Sequence, residues 1–322
     1  MKTQKLAVIG AGHVGSHVLA YAAKSDLFGE IAVIDPRGNI AFGEALDQDH
    51  ATGLLSRRNI HIHSGGYEEV VDADIVIVSA THVYAPEPVP ADRQELMKNN
   101  ASIIREIMDN IVKHTREAIL IFITNPADTV AYIATNEYDY PSQQILSTGC
   151  MLDSARLRHF IGRHYGVDPK SVSGYMMGEH GYTAFPVLSR LTVGGIAFDE
   201  LAEYFPEIEP LTPDQIKEHV VQTAYEVFDA KVGVTNAGVA ESSIELARAI
   251  LLDEKAIYPV AVTFTNGEYG FEQASAFSVP CVLGRKGVER RLTVSLNEWE
   301  TEKLEISVAS IQASIALAES LK

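Results

Sequence analysis

Histidine is the side chain best suited to transfer a proton near neutral pH, and one of the eleven histidines in this 322-residue chain has distinctive neighbours. His180 lies in Gly178-Glu179-His180-Gly181, where the two glycines predict a tight, exposed turn. Upstream, Asp153 and Arg156 stand three residues apart at the start of a predicted helix, so they share one face. Spacing alone leaves two simpler interpretations open, a structural histidine and a capping acid with a surface ion pair.

A second candidate site lies near the N-terminus, where Gly10-Ala11-Gly12-His13-Val14-Gly15 matches G-x-G-x-x-G. The motif follows a predicted strand and precedes a predicted helix. Its three glycines allow, in turn, a tight turn, close backbone approach to a pyrophosphate, and close packing of helix on strand. The amides at the start of the helix then favour phosphate. The cofactor-binding residues predicted here are Gly10, Gly12, His13, Val14 and Gly15.

Asp35 ends the next predicted strand, 20 residues beyond Gly15. A carboxylate at this position can accept both ribose hydroxyls and repels a 2′-phosphate, which favours NAD over NADP. The alternative is a helix-capping or turn acid. Arg37, two residues further on, leaves some scope for NADP.

Short apolar runs alternate with amphipathic stretches through the first half of the chain. Strands are predicted at residues 6–9, 31–34, 60–63, 75–78, 119–123 and 145–147. Helices are predicted between them at about 13–24, 41–51, 93–115 and 127–136. Runs rich in Ile and Val without polar alternation are typical of parallel strands buried on both faces. The alternation therefore predicts an α/β, doubly wound parallel sheet over residues 1–148.

The pattern changes after residue 148, where a mixed order predicts a second, α+β domain over residues 149–322. Helices are predicted at about 151–165, 212–230 and 235–252, and from 298 onward. Strands are predicted near 171–176, 185–193, 196–198, 257–264, 279–284 and 290–295. No Ser/Gly-rich linker separates the halves, so we expect them to pack directly.

Composition limits the function classes. The net charge of −17 argues against a nucleic-acid partner or an anionic membrane surface, since either needs a basic patch. The two cysteines, Cys150 and Cys281, lack CxxC spacing, so neither a disulfide framework nor a zinc or other metal site is expected. No signal-peptide pattern and no apolar run long enough to span a membrane occur, which predicts a cytoplasmic protein.

Taken together, these motifs resemble the lactate/malate dehydrogenase superfamily over essentially the whole chain. The resemblance is carried by residues 10–15, Asp35, Thr124-Asn125-Pro126-Ala127-Asp128, and residues 152–158, 178–181 and 231–240. Within the superfamily, Ser171-Val172-Ser173-Gly174-Tyr175 and the loop ending Asp92-Arg93 are most similar to L-2-hydroxyisocaproate dehydrogenases. The resemblance implies an N-terminal Rossmann domain that binds NAD and a C-terminal α+β substrate domain.

The resemblance also implies roles in hydride transfer between NAD and a 2-hydroxy or 2-oxo acid. His180 would donate the proton to the carbonyl oxygen, and Asp153 would hold its ring and stabilise the imidazolium. Arg156 would bind the substrate carboxylate through two parallel hydrogen bonds, and Arg93 would polarise the carbonyl from a closing loop. Asn125 would lie near the carbonyl and the nicotinamide, and Thr235 beside the substrate. The Asn125–Pro126 bond is expected to be cis.

Residues 81–93 (THVYAPEPVPADR) are expected to decide the substrate. Malate enzymes carry a second arginine shortly before the polarising one, whereas this loop has Glu87 there and no Lys or Arg before Arg93. A distal carboxylate would meet no partner, so malate is not expected. The loop forms an apolar lid, and Ala237 and Gly238 are small. Both features favour a branched or extended 2-oxo acid such as 2-oxoisocaproate; the alternative is a divergent lid on an L-lactate dehydrogenase acting on pyruvate.

A third possibility belongs to another class, an NAD-binding protein that has lost catalysis. It predicts damage to the site, yet every residue of the set His180, Asp153, Arg156, Arg93 and Asn125 is present. Besides its small-molecule substrate, the expected partner is another copy of the chain. The resemblance implies a homotetramer or dimer, with contacts through residues 41–51 and 151–165.

Overall fold

The computed structural model describes residues 3–54, 58–84, 89–90, 92–231, 235–265 and 267–322, with the backbone alone at residue 93. In the first half, strands and helices alternate as the sequence predicts. The strands are β1 (Lys5–Ile9), β2 (Glu30–Ile34), β3 (His61–Ser64), β4 (Ile75–Val78), β5 (Ile119–Phe122) and β6 (Ile145–Ser147). The helices are α1 (His13–Lys24), α2 (Gly38–Ala51), α3 (Arg93–His114) and α4 (Ala127–Asn136).

The second half begins with α5 (Met151–His164) and is more irregular. Its strands are β7 (Val172–Ser173), β8 (Met176–Met177), β9 (Phe185–Pro186), β10 (Thr192–Val193), β11 (Ile196–Ala197), β12 (Ala256–Phe264), β13 (Ser275–Gly284) and β14 (Gly287–Arg291). Its other helices are α6 (Leu201–Tyr204), α7 (Pro213–Ala230), α8 (Ala237–Leu251) and α9 (Glu298–Ser320).

One sheet runs through both halves of the described chain. Its nine strands lie in the order β14-β13-β12-β6-β5-β4-β1-β2-β3. The strands from β6 to β3 pair in parallel, and the first three pair antiparallel, with Ala261 opposite Ser147 at the junction. The fold is therefore the predicted α/β class. The sequence pattern, however, did not show that the late strands extend the parallel sheet.

Three predicted strands of the second half were placed wrongly. The stretch 171–176 is divided between β7 and β8, which belong to different sheets. The stretch 185–193 is interrupted by a 3₁₀ turn at Leu188–Arg190, so only its ends are strand. The strand predicted at 290–295 lies earlier in the chain, because β14 runs from Gly287 to Arg291. Gly287 has φ +89°, and this left-handed conformation lets β13 turn directly into β14 earlier than the apolar pattern indicates.

The parallel strands are buried on both faces. Leu6 and Val8 belong to an apolar cluster with residues of α1 and α8, whereas Ala7 and Ile9 belong to a cluster with residues of α3 and α4. Because side chains alternate along a strand, β1 contributes to both cores at once. None of the helices within the described ranges is long and apolar enough to cross a membrane. Both cysteines, Cys150 and Cys281, are buried as thiols.

Acidic side chains surround the ammonium of Lys5 at the start of β1. Its Nζ lies 2.9 Å from Glu30, 2.8 Å from Glu69 and 2.8 Å from Asp72. Burial disfavours the charged amine, but the hydrogen bonds to these carboxylates outweigh it and raise the pKa of Lys5. Glu30, His63 and Glu69 also place ligand atoms within 4.8 Å of one another. Lys5 supplies the positive charge that a metal cation would bring, so the cluster is a network of ion pairs around the lysine.

Candidate active site

The glycine loop lies between the end of β1 and the start of α1, at the carboxyl edge of the parallel strands. Gly10 has φ +101°, and a Cβ there would lie 2.6 Å from the amide nitrogen of Ala80. A Cβ at Gly15 would lie 1.9 Å from the carbonyl oxygen of Gly10. By contrast, a Cβ at Gly12 would meet no described atom within 4 Å. The first and third glycines thus serve packing, and Gly12 borders open space beside the helix start, as a phosphate cradle requires.

Asp35 follows β2 and faces the glycine loop. Its Oδ2 accepts a hydrogen bond from the amide of Ala11 at 2.9 Å. Burial by itself raises the pKa of Asp35, but hydrogen bonds from Arg37 and Ala11 outweigh it, and the net shift is downward. The carboxyl group is therefore ionised at neutral pH, as recognition of ribose hydroxyls requires.

His180, Asp153 and Arg156 form a continuous chain of hydrogen bonds. The Nδ1 of His180 lies 2.6 Å from Oδ2 of Asp153, and Nη1 of Arg156 donates to the other carboxylate oxygen at 2.8 Å. The side chains of Asp153, Arg156 and His180 are only 8%, 13% and 18% exposed. The Asp153–Arg156 pair is therefore part of a partly buried cluster, not the surface ion pair of the simpler interpretation.

This arrangement fixes the direction in which each group can act. A carboxylate accepts, so Nδ1 of His180 carries the proton of the short hydrogen bond and Nε2 is left to exchange a proton with a ligand. Arg156 uses one of its five donors on Asp153 and keeps others for an anion. The set can therefore bind a carboxylate and transfer a proton close to it.

Two buried acids hold the loop that carries His180. Oδ2 of Asp128, in the first turn of α4, accepts the backbone amide of His180 at 2.8 Å. Glu179 accepts one hydrogen bond from the hydroxyl of Thr183 and another from the hydroxyl of Ser310, the second at 3.1 Å. Both acids lie within the motifs that carry the family resemblance, but those motifs predicted no role for either of them. The signal available was an acid in an apolar setting, whose burial requires partners.

Asn125 is positioned by the cis peptide bond to Pro126, as predicted, and by Asn100 of α3. Nδ2 of Asn100 donates to the carbonyl oxygen of Asn125 at 2.8 Å. Oδ1 of Asn100 accepts a hydrogen bond from the backbone amide of His82 at 2.9 Å. Asn100 is fully buried and was not among the predicted site residues, although an asparagine on an apolar helix face is a signal that the sequence contains. Among the described residues, Oδ1 of Asn125 is buried without a hydrogen-bond partner. It is thus an acceptor suited to a carboxamide or hydroxyl of a ligand.

The remaining predicted residues lie on the segments beside this cluster. Arg93 is the first residue of α3, where Asp92 caps the helix by accepting from the amide of Gln94 at 2.8 Å. Thr235 is half-buried and precedes Asn236, the N-cap of α8. The side chain of Arg93 and residues 85–88 and 91 lie outside the described residues, so the lid hypothesis and the role of Arg93 stay predictions.

The structure corrects one part of the substrate argument. A Cβ at Gly238 would lie 2.7 Å from Cδ1 of Leu152 in α5. The absence of a side chain at Gly238 therefore accommodates Leu152, and the space is filled within the protein. Ala237 is exposed. The small size of Gly238 consequently gives no support to a larger substrate pocket.

Comparison with known proteins identifies the family. Residues 4–147 match the family model described as lactate/malate dehydrogenase, NAD binding domain, and residues 150–322 match lactate/malate dehydrogenase, alpha/beta C-terminal domain. The chain belongs to the lactate/malate dehydrogenase family, and the resemblance seen in the sequence is confirmed. It is accordingly an oxidoreductase with NAD as its cofactor.

The similarity extends to whole proteins. L-lactate dehydrogenase 2 of Clostridium acetobutylicum is 39% identical over 97% of this chain and 96% of its own length. L-lactate dehydrogenase of Selenomonas ruminantium is 38% identical over 97% of both chains. A lactate dehydrogenase of Cryptosporidium parvum, solved with lactic acid and β-nicotinamide adenine dinucleotide, has a TM-score of 0.90 and 28% identity over 99% of both chains.

The described residues of the site fit the NAD cofactor. The open space beside Gly12 suits the pyrophosphate, Asp35 suits the adenosine ribose, and the buried oxygen of Asn125 suits the nicotinamide end. His13 and Val14, also predicted to bind the cofactor, form the first turn of α1 beside Gly12.

Proposed function

We propose that this chain is an NAD-dependent L-2-hydroxy-acid dehydrogenase that interconverts a 2-hydroxy acid and its 2-oxo acid. The observation that carries the proposal is the bridging carboxylate of Asp153, which contacts His180 at 2.6 Å and Arg156 at 2.8 Å. Asp153 thereby holds a proton donor, His180, and a carboxylate-binding group, Arg156, at a fixed distance from each other. That spacing suits a substrate whose carbonyl is adjacent to its carboxylate.

Each residue then has a defined task in reduction. The bound nicotinamide supplies the hydride. Arg156 binds the substrate carboxylate, and His180 donates its Nε2 proton to the carbonyl oxygen while Asp153 stabilises the charged ring. Asp128 and Glu179 fix the loop that carries His180. Arg93 polarises the carbonyl, and Asn125 and Thr235 line the substrate side.

For the substrate we propose pyruvate and L-lactate. Support comes from the two relatives that are 39% and 38% identical over nearly the whole chain, both named L-lactate dehydrogenases. The second candidate is a branched substrate such as 2-oxoisocaproate, and the apolar composition of residues 83–90 favours it. Each additional buried methylene contributes about 0.8 kcal/mol, or roughly a fourfold preference, if the pocket has room for it.

A substrate panel separates these candidates. The purified chain is mixed with NADH and with pyruvate, 2-oxobutyrate, 2-oxoisocaproate or oxaloacetate, and kcat/KM is measured for each from NADH absorbance. Highest kcat/KM with pyruvate supports the first proposal, and a several-fold preference for 2-oxoisocaproate supports the second. Preference for oxaloacetate contradicts both.

His180→Ala tests the mechanism in the same assay. It should remove most turnover while NADH binding persists. The matched control is His114→Ala, because His114 is exposed at the end of α3, and its turnover should equal that of the unaltered chain. Equal activity of the two variants would contradict the role of His180.

We also propose that the enzyme is a homo-oligomer, a tetramer or a dimer, as the family resemblance implies. Phe42 and Leu46 support this proposal, because they lie one turn apart on α2 and are 58% and 37% exposed. Sedimentation of the unaltered chain and of Phe42→Asp tests it. A monomeric unaltered chain would contradict the proposal. The cytoplasmic location stays a prediction.

A further inference from the structure

The carboxylate of Asp35 is saturated by hydrogen bonds from its own chain. Oδ1 accepts from the backbone amide of Arg37 at 2.9 Å and from its Nε at 2.9 Å. Oδ2 accepts from the amide of Ala11 at 2.9 Å and from Nη2 of Arg37 at 3.0 Å. A carboxylate has about four acceptor positions, so all of them are occupied. Two ribose hydroxyls and the guanidinium of Arg37 therefore compete for the same oxygens.

The four donors differ in how easily they leave. The two backbone amides are fixed by the glycine loop and by the turn after β2. The guanidinium sits on a side chain that is 47% exposed, whereas the side chain of Asp35 is 4% exposed. Departure of the guanidinium frees one position on each oxygen, and each oxygen keeps one backbone donor. The two freed positions match the two hydroxyls of the adenosine ribose.

We propose that Arg37 sets the selectivity of this enzyme between NAD(H) and NADP(H). Its guanidinium must be displaced before Asp35 accepts the ribose hydroxyls, which weakens NADH binding. The displaced guanidinium stays tethered two residues from Asp35. It places a positive charge near the ribose, beside the carboxylate that repels a 2′-phosphate. Arg37 thus lowers the affinity for NADH and raises that for NADPH.

Arg37→Ala tests the proposal, because it removes both side-chain donors and keeps the backbone amide on Asp35. NADH and NADPH affinities are measured by fluorescence titration without substrate. A half-exposed ion pair contributes little, so we expect the Kd for NADH to fall about 2- to 5-fold and the Kd for NADPH to rise by a similar factor. The control is Arg248→Ala, since Arg248 is 52% exposed and pairs with Glu254 on a different part of the surface. Both its Kd values should be unchanged.

Arg37→Lys separates competition from charge. Lysine keeps the positive charge but loses the two-pronged contact, so NADH should bind more tightly while NADPH affinity falls less than in Arg37→Ala. Weaker or unchanged NADH binding in Arg37→Ala, or an unchanged ratio of the two Kd values, would overturn the proposal. Because the readout is binding, a chain that shows this pattern but reduces no 2-oxo acid would refute only the proposed function.

Discussion

Replacing Asp153 with asparagine tests the bridging carboxylate most directly, because the two side chains have nearly the same shape. Asp153 accepts from His180 on one oxygen and from Arg156 on the other. Asparagine has one oxygen and one amide nitrogen, so it can accept from only one of the two. If its oxygen faces Arg156, its NH₂ donates to Nδ1 of His180. The proton on Nε2 then belongs to a neutral ring, which is a far weaker acid.

The size of the effect follows from the bond that is lost. A hydrogen bond to a charged group contributes about 1.5–3 kcal/mol, and in the proposed mechanism this one stabilises the protonated ring of His180, which donates to the substrate. Its loss should lower kcat/KM for pyruvate reduction by about 10- to 150-fold. NADH affinity should not change, because Asp153 belongs to α5, whereas Gly12 and Asp35, which we propose to bind the cofactor, belong to the N-terminal half.

The assay compares Asp153→Asn with Asp168→Asn, which makes the same chemical change at an exposed acid that caps a 3₁₀ turn. Steady-state rates with NADH give kcat/KM, fluorescence titration gives the NADH Kd, and thermal unfolding shows whether each variant is folded. A folded Asp153→Asn variant with kcat/KM within about threefold of the unaltered chain would refute the argument, since a loss that small lies below the worth of one such bond.

Three further predictions concern packing and pH. Gly15→Ala should lower Tm because its Cβ meets the carbonyl oxygen of Gly10, whereas Gly12→Ala should keep Tm and weaken NADH binding; equal Tm losses would contradict this contrast. Thr183→Val removes a donor from the buried carboxylate of Glu179, and should destabilise the fold by about 1–3 kcal/mol and reduce kcat; an unchanged Tm would count against it. Arg105→Ala removes a two-bond contact to Glu137. Burial raises the pKa of Glu137, but hydrogen bonds from Arg105 and Lys322 outweigh it and hold the pKa below its ordinary 4.5. A lowered acid pKa stabilises the fold above pH 4.5, and this stabilisation is lost as the pH falls through the folded-state pKa. The Tm difference from the unaltered chain should therefore be large at neutral pH and shrink as the pH falls below 4.5.

Local patterns predicted the first half of the chain well. The strands of residues 31–34 and 75–78 are short apolar runs with no competing period, and β2 and β4 follow them to within a residue. The second half was harder, because the first residues of β13 are strand through pairing with β12, as in Phe264 opposite Ser275, and residues 265–274 that join the two strands are not a tight hairpin turn. Such pairing leaves no local signal beyond weak alternation.

In the site, too, local features could be predicted from the sequence, whereas contacts between separate segments could not. Asp153 and Arg156 could be placed on one helix face by their spacing, and the glycine loop by its motif. The contact between Asp153 and His180 could not, since it joins α5 to a loop 27 residues away. The contact of the Arg37 guanidinium with Asp35 could not be predicted either, because it depends on which rotamer Arg37 adopts. Leu152, which fills the space at Gly238, shows likewise that a small residue indicates close packing as readily as a pocket.

The junction between β6 and β12 has a consequence for synthesis of the chain on the ribosome. The hydrogen-bonding edge of β6 is covered by β12, where Ala261 pairs with Ser147. Until translation has passed Ala261, a nascent chain with its first six strands folded would expose β6 as an open edge. Open edges of this kind pair with other unfinished chains. The nucleotide-binding half is therefore expected to pair with other chains more readily than the finished fold does, until a strand from the other half covers that edge.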